Sequence, residues 1–258
     1  MKLKKAREVI EDGINQGLHP GAQLSVAQGL GARREEVNLA FGEATDGVAM
    51  TNDTLCLWLS CSKPLAAVAI GILWERDKLS LDDQVKHYIP EFAQHGKDVI
   101  TIRHILTHTG GFRMADQASY SHTIKEALEL VYDSKIEPRW HPGQKAGYHS
   151  GGSWLILGEL IQRIDGRAYQ TFVRQEIFEP LEMHDCWVGI PQDRLNEYED
   201  QLAVMYKTTQ GDKQPHPQWE RSGEIVLPKP GSHGRGPARE LRKFYDMLME
   251  GGELDGVR

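Results

Sequence analysis

The 258 residues include only three cysteines, Cys56, Cys61 and Cys186, an odd number with no Cys-x-x-Cys spacing. A disulfide framework is therefore not expected, and reduced thiols in a reducing compartment are. Long apolar runs are missing too, since nothing approaches the roughly 20 apolar residues that a membrane span needs. The start, MKLKKAREVIEDGINQG, is charged and has no apolar stretch of the kind an export signal carries. The expectation is a cytoplasmic chain without a membrane partner. Basic runs are absent as well. With 30 Lys and Arg against 37 Asp and Glu the formal charge is −7, and no stripe of positive charge suits a phosphate backbone, so nucleic acid is not an expected partner. What is present, 40% hydrophobic and 26% charged residues, suffices to bury a core in one large domain or two interleaved ones.

The apolar spacing changes along the chain. Leu3, Ala6, Val9, Ile10 and Ile14 recur at helical intervals before Gly17. AQLSVAQG and EVNLAFGE alternate as strands do, and the turn in LGARRE predicts an antiparallel hairpin. PLAAVAIGIL, residues 64–73, is apolar on every side, which predicts a helix buried all round. Pro64 is tolerated only in a first turn, so this helix is expected to begin at about 60–63. TIRHILTH, IKEALELVYD and SWLILGELIQRIDG predict helices separated by Gly and Pro breaks. Residues 191–230 are polar and rich in Pro and are expected to form a long connection, a lid or substrate loop. ARELRKFYDMLMEGG predicts a closing amphipathic helix, and no internal repeat is present.

Chemistry concentrates in LWLSCSKP, residues 57–64. Ser60 and Lys63 stand three apart, so on the first turn of a helix they share a face. A serine hydroxyl needs a neighbouring base to become a nucleophile, and a lysine is such a base once desolvation lowers its pKa. The helix N-terminus adds partial positive charge and N–H groups, which suit an oxyanion. A Ser-x-x-Lys match arises by chance about once in a chain this long, so its weight comes from its place at the helix mouth. Cys61 reads as a small buried hydrophobe and Ser62 as a cap for the helix.

A second group lies in WHPGQKAGYHSGGSWLILGELIQRIDG, where Tyr148, His149 and Ser150 occupy a Gly-rich turn before a helix. His104 and His108 have a spacing that can hold zinc, but no Glu completes His-Glu-x-x-His, so packing roles are expected and neither metal nor cofactor is. Trp140 and Trp187 read as core, and LSLDDQ as a solvated helix start rather than a carboxylate pair.

These segments resemble the serine β-lactamase and penicillin-binding protein superfamily, in the class C β-lactamase-like branch that includes the family VIII carboxylesterases. The similarity runs in order through LWLSCSKPLAAVAIGILWERDKLSLDDQVKHYIPEF, ITIRHILTHTGGF, PGQKAGYHSGGSWLILGELIQ, EIFEPLEMHDCWVG and ARELRKFYDMLMEGGELDGVR. It implies an α/β plus all-α fold: an antiparallel sheet flanked by helices, with a mainly helical second region. Residues 1–74 are expected as the first part of the α/β domain, 75–218 as the helical region and 219–258 as the return to the α/β domain. The resemblance implies Ser60 as the acylated nucleophile, Lys63 as its proton partner and Tyr148 as the first residue of a Tyr-x-Asn motif. Either Lys63 or Tyr148 is then the general base. Ser150 replaces the motif's Asn with a hydroxyl, which leans away from β-lactam hydrolysis, and Ser150 and His149 are expected to meet the substrate. The third motif of the superfamily, Lys-Thr-Gly or His-x-Gly on a strand, is expected beyond Arg258. His233 in SHGRG is not assigned that role. The sheet is therefore expected to lack its C-terminal strands and to be completed by a second polypeptide or a further C-terminal segment. The implied activity is hydrolysis or acyl transfer through an acyl-enzyme on a small ester or amide. β-Lactamase, D,D-peptidase or D-aminopeptidase activity, and a non-catalytic binding or regulatory module, are the alternatives.

Overall fold

The helical spacing at the start of the chain becomes α1 (Lys4–Asn15), and the two alternating segments become β1 (Gly21–Gln28) and β2 (Glu35–Thr45). They pair antiparallel with Gly21 opposite Gly42, Leu24 opposite Leu39 and Val26 opposite Val37. The structure, a computed structural model, describes residues 3–29, 34–120, 123–209, 212–216, 222–254 and 256, so most of the turn expected in LGARRE lies outside the described residues. In chain order there follow β3 (Val48–Ala49), β4 (Cys56–Leu57), α2 (Lys63–Glu75), α3 (Ile102–Leu106), α4 (Ile124–Asp133), α5 (Gly152–Asp165), α6 (Tyr169–Val173) and β5 (Trp187–Val188). The last elements are β6 (Tyr206–Thr209), β7 (Asp212–Pro215), α7 (Ser222–Ile225), β8 (Gly234–Gly236) and α8 (Ala238–Met249).

The chain divides into two compact units. One comprises residues 1–57, 178–225 and 235–258. Its main sheet runs β1-β2-β3, with α8 against β1 and α1 against β2. Polar contacts fix α8 on β1: the Ala238 N–H donates to Gln23 Oε1 at 2.8 Å and Arg242 Nε to Ser25 Oγ at 2.9 Å. A smaller sheet, β4-β8-β5, sets Cys56 opposite Gly236 and Leu57 opposite Arg235. The antiparallel sheet flanked by helices thus takes the expected form. The long connection expected over 191–230 is different. It folds into a 3-10 turn at Leu195–Gln201, the β6–β7 hairpin and α7. The physical reason is its scattered apolar residues: Tyr198 is buried with Leu55 and Ile190, and Leu195, Leu202 and Ile225 pack on that cluster, which holds down an otherwise polar stretch.

The other unit, residues 58–177 and 226–234, is mainly helical. Its centre is α2, which buries Leu65, Ala66, Ala69, Ile70 and Leu73, and α5, which buries the run from Trp154 to Leu157 with Leu160 and Ile161. Each such Leu or Ile contributes roughly 1.5–3 kcal/mol relative to exposure, so these two helices form the rigid body on which the polar groups are mounted. α4 begins with a reciprocal cap, Thr123 with Glu126, at 3.1 Å in both directions. α3 uses the same device with histidine: Thr101 Oγ1 accepts from the His104 N–H, and the Thr101 N–H donates to His104 Nδ1, both at 3.2 Å. α5 ends on Gly166 in the left-handed region, φ 91°.

Lys97 is buried in this unit and donates to the carbonyls of Gln94, Tyr132 and Ser134. It ties the end of α4 to the segment 94–97. Lys97→Met removes the only donors these contacts supply and is expected to cost about 2–4 kcal/mol. A urea unfolding midpoint equal to the wild type would contradict this.

Candidate active site

Pro64 is the second residue of α2, and the preceding turn of 3-10 helix, Leu59–Ser62, carries the motif. Leu59 occupies the left-handed region at φ 47°, a conformation that costs a non-glycine residue on the order of 1 kcal/mol. Two contacts hold the turn in place. The Trp58 N–H donates to the Gly234 carbonyl at 2.8 Å, and Ser62 Oγ accepts the Gly234 N–H at 2.8 Å. Residue 234 must be glycine for this approach, because a Cβ there would lie 2.6 Å from the Trp58 ring and 2.8 Å from Ser62 Oγ. Ser62 stands at the N-cap position of α2, but its side chain makes no capping bond there. Its hydroxyl, fully buried, is spent on a distant strand. Cys61 is exposed, not buried, since an outward position on the 3-10 turn offers it no core to join.

Lys63 turns inward and is 6% exposed. Its Nζ lies 3.0 Å from Ser60 Oγ, 2.9 Å from the Ser150 carbonyl and 2.8 Å from the Gly231 carbonyl. The rings of Tyr148 and Trp154 stand 5.2 and 5.5 Å from the amine. Burial pushes the lysine pKa below its ordinary value, opposed by Tyr148, Asp116 and Cys61. Tyr148 is more than half exposed, and its Oη is 2.5 Å from Ser60 Oγ. Behind it His108 stacks at 5.0 Å between ring centroids. The structure therefore brings Ser60, Lys63 and Tyr148 together.

His149 is buried, 1% exposed, and does not face a substrate surface. Its Nε2 accepts the N–H groups of Gly111 and Phe112 at 3.1 and 3.3 Å, so the ring proton sits on Nδ1, which donates to the Gly147 carbonyl at 2.6 Å. Burial lowers its pKa, keeping this neutral tautomer. Both ring nitrogens are spent on backbone, and the residue holds the turn that presents Tyr148. Ser150 is exposed, and its carbonyl oxygen accepts Lys63 Nζ. His108 Nδ1 accepts the His149 N–H at 3.1 Å, while His104 caps α3, so the two histidines spaced four apart have separate jobs. Burial, with His149 and Lys63 nearby, keeps His108 below its ordinary pKa. Among the described residues no group of three or more His, Cys, Asp or Glu is arranged for a metal.

Two participants have no signal in the local sequence. Gly231 offers only a carbonyl, and Asp116 lies in a 3-10 stretch with no motif around it. Asp116 Oδ2 accepts the Ser150 N–H at 2.9 Å, and Oδ1 accepts those of Gly151 and Gly152 at 2.9 and 3.2 Å. An unmatched helix start at Gly151, which has no side-chain cap of its own, is the one hint that a remote acceptor is required.

Comparison with known proteins bears on this arrangement. The family model described as Beta-lactamase matches residues 6–257. The chain belongs to the beta-lactamase family. Among the curated relatives of this family, Esterase EstB of Burkholderia gladioli is 30% identical over 218 residues, covering 78% of this chain and 52% of EstB. Esterase/beta-lactamase LipL of Mycobacterium tuberculosis is 24% identical over 238 residues, covering 82% of this chain and 54% of LipL. The chain spans about half the length of these curated relatives. Among solved structures, a family VIII carboxylesterase superposes with TM-score 0.77 at 25% identity, covering 98% of this chain and 71% of that one. EstCE1, described as a hydrolase with promiscuous acyltransferase activity, superposes with TM-score 0.81 at 20% identity, covering 99% and 74%, and shows the shared fold. No helix among the described residues is long and apolar enough to cross a membrane.

Ser62→Ala leaves the Gly234 N–H without its buried acceptor, so a loss of about 1–3 kcal/mol is expected in denaturant unfolding. The cost is one of stability. An unchanged midpoint would show that the contact contributes nothing.

Proposed function

We propose that this chain is a serine hydrolase or acyltransferase that forms an acyl-enzyme on Ser60 with a small ester or amide. The observation that carries the reading is the coordination of Lys63. Two of the three directions around a tetrahedral amine face carbonyl oxygens, of Ser150 and Gly231, which accept and cannot donate. Those contacts claim two N–H groups. The remaining direction faces Ser60 Oγ. In the neutral amine that direction is a lone pair, aimed at the hydroxyl whose proton has to leave, and burial favours the neutral form.

In this proposal Lys63 takes the Ser60 proton as Oγ bonds to the carbonyl carbon of the substrate. The N–H groups at the start of α2 steady the resulting oxyanion. Tyr148, hydrogen-bonded to Ser60 Oγ, passes a proton to the departing oxygen or nitrogen. Water or another acceptor, its proton taken by the Tyr148 phenolate, then attacks the acyl-enzyme; the Oγ–acyl bond breaks and Lys63 returns its proton to Ser60 Oγ. The names of the relatives, Esterase EstB, Esterase/beta-lactamase LipL and a family VIII carboxylesterase, support an ester substrate. A further strand, from a C-terminal segment or a second polypeptide, would pair with β1, which among the described residues is bonded on one side only, to β2.

The test is covalent labelling. Incubation with a fluorophosphonate or p-nitrophenyl acetate is expected to add one mass increment on the peptide carrying Ser60, absent in Ser60→Ala. Lys63→Met is expected to slow labelling by about 10²–10⁴-fold. Because the base must be deprotonated and burial lowers its pKa, the labelling rate is expected to rise with pH and level off below the ordinary lysine value of 10.5. No adduct, or an adduct that survives Ser60→Ala, would refute the reading.

A further inference from the structure

We infer that Asp116 is a positioning residue for the Lys63–Ser60 pair: its carboxylate pins the chain at 150–152 so that the Ser150 carbonyl meets the lysine. The inference rests on the reading of Lys63 as the base.

Each oxygen of Asp116 is occupied by backbone. Oδ2 takes the Ser150 N–H, and Oδ1 takes those of Gly151 and Gly152. These groups open α5, whose first turn has donors without intrahelical partners. A carboxylate there satisfies the donors and the positive end of the helix dipole together. The fit is close. A Cβ at Gly152 would lie 2.6 Å from the Ala115 carbonyl and 2.7 Å from the Ala115 Cβ, so glycine at 152 permits the approach of the segment carrying Asp116. The Gly151 N–H that Asp116 Oδ1 holds at 2.9 Å and the Ser150 carbonyl that accepts Lys63 Nζ at 2.9 Å belong to one planar peptide unit. Fixing the N–H on one side therefore fixes the acceptor on the other. If that acceptor swings away, Nζ keeps only Gly231 and Ser60, and the lone pair is no longer directed by two carbonyls.

The second contribution is electrostatic. Lys63 is coupled electrostatically to Tyr148, Asp116 and Cys61 and to His108 behind the Tyr148 ring, and Arg113 faces Asp116 in turn. Asp116 is the carboxylate in this set. It holds the ammonium form against the desolvation that opposes it. Removing its charge should let the proton go more easily while loosening the geometry, a combination that a purely structural residue would not produce.

The experiment compares wild type with Asp116→Asn, Asp116→Ser and Asp116→Glu. Asn and Ser keep a hydrogen-bond acceptor without the charge, and two neutral variants guard against one that fails to fold. The first readout is the titration of Lys63, followed by NMR of the protein labelled with 13C at lysine Cε. Both neutral variants are expected to titrate at lower pH than wild type, and Asp116→Glu close to wild type. The second is the rate of fluorophosphonate labelling of Ser60 against pH. In the neutral variants the rising limb is expected to move to lower pH while the plateau falls by about 10- to 100-fold, the range a misplaced reacting pair produces. Asp116→Glu should keep the limb and recover part of the rate. An unmoved Lys63 midpoint in the neutral variants overturns the inference, as does a wild-type plateau with an unmoved limb. If wild type fails to label at Ser60, the acyl-enzyme reading falls, and the Lys63 midpoints still decide the role of Asp116.

Discussion

A buried amine with two of its three directions occupied by carbonyl oxygens has one direction left, and in this chain that direction is Ser60. The geometry around Lys63 Nζ, with acceptors at 2.8, 2.9 and 3.0 Å, constrains much of its unit. It requires a helix that starts at Lys63, so that Ser60 stands one turn away. It requires the segment 226–234 to return and present the Gly231 carbonyl, and Ser62 and Trp58 anchor that segment through Gly234. It also requires the start of α5 to present the Ser150 carbonyl. Leaving the amine uncompensated would cost several kcal/mol, so folding of this unit and formation of the site are one event.

The supporting groups are chiefly neutral and backbone-directed. His149 uses both ring nitrogens on the main chain and holds the turn before Tyr148, and His108 packs its ring against that phenol. Such a frame orients the phenol without adding a second positive charge beside Lys63. Asp116 supplies the negative charge from the other side, through the N–H groups that open α5. The site is thus held by helix starts: the 3-10 turn leading into α2 carries Ser60 and the first residue of α2 is Lys63, and the turn before α5 carries the carbonyl that limits where Lys63 can point.

Much of this was legible in the residues. The uniformly apolar PLAAVAIGIL could only be a buried helix, and Pro64 located its start to within a turn, which put Ser60 and Lys63 on one face. Tyr148 was legible through its Gly-rich setting and the resemblance to the family. The remainder depends on contacts across long stretches of sequence. Ser62 meets Gly234, Lys63 meets Gly231 and Asp116 meets residues 150–152, and no periodicity links such positions. His149 beside Tyr148 invited a pocket-lining role, but adjacency in sequence does not fix which way a side chain turns. The β6–β7 hairpin has no signal for a related reason: its contacts are distant in sequence, Tyr206 with Thr45 and Asp46 and Thr208 with the Leu18 carbonyl, and its own composition is polar.

The claim that Lys63 is the base for Ser60 is tested most directly by changing the basicity of that one nitrogen while keeping its length. Lys63→Cys alkylated with bromoethylamine, in a Cys61→Ala background that removes the exposed neighbouring thiol, places the less basic thialysine at position 63. The rising limb of the Ser60 labelling rate is then expected to move to lower pH, following the lower proton affinity of the new amine. A limb that stays where it is in the Lys63 protein would contradict the account.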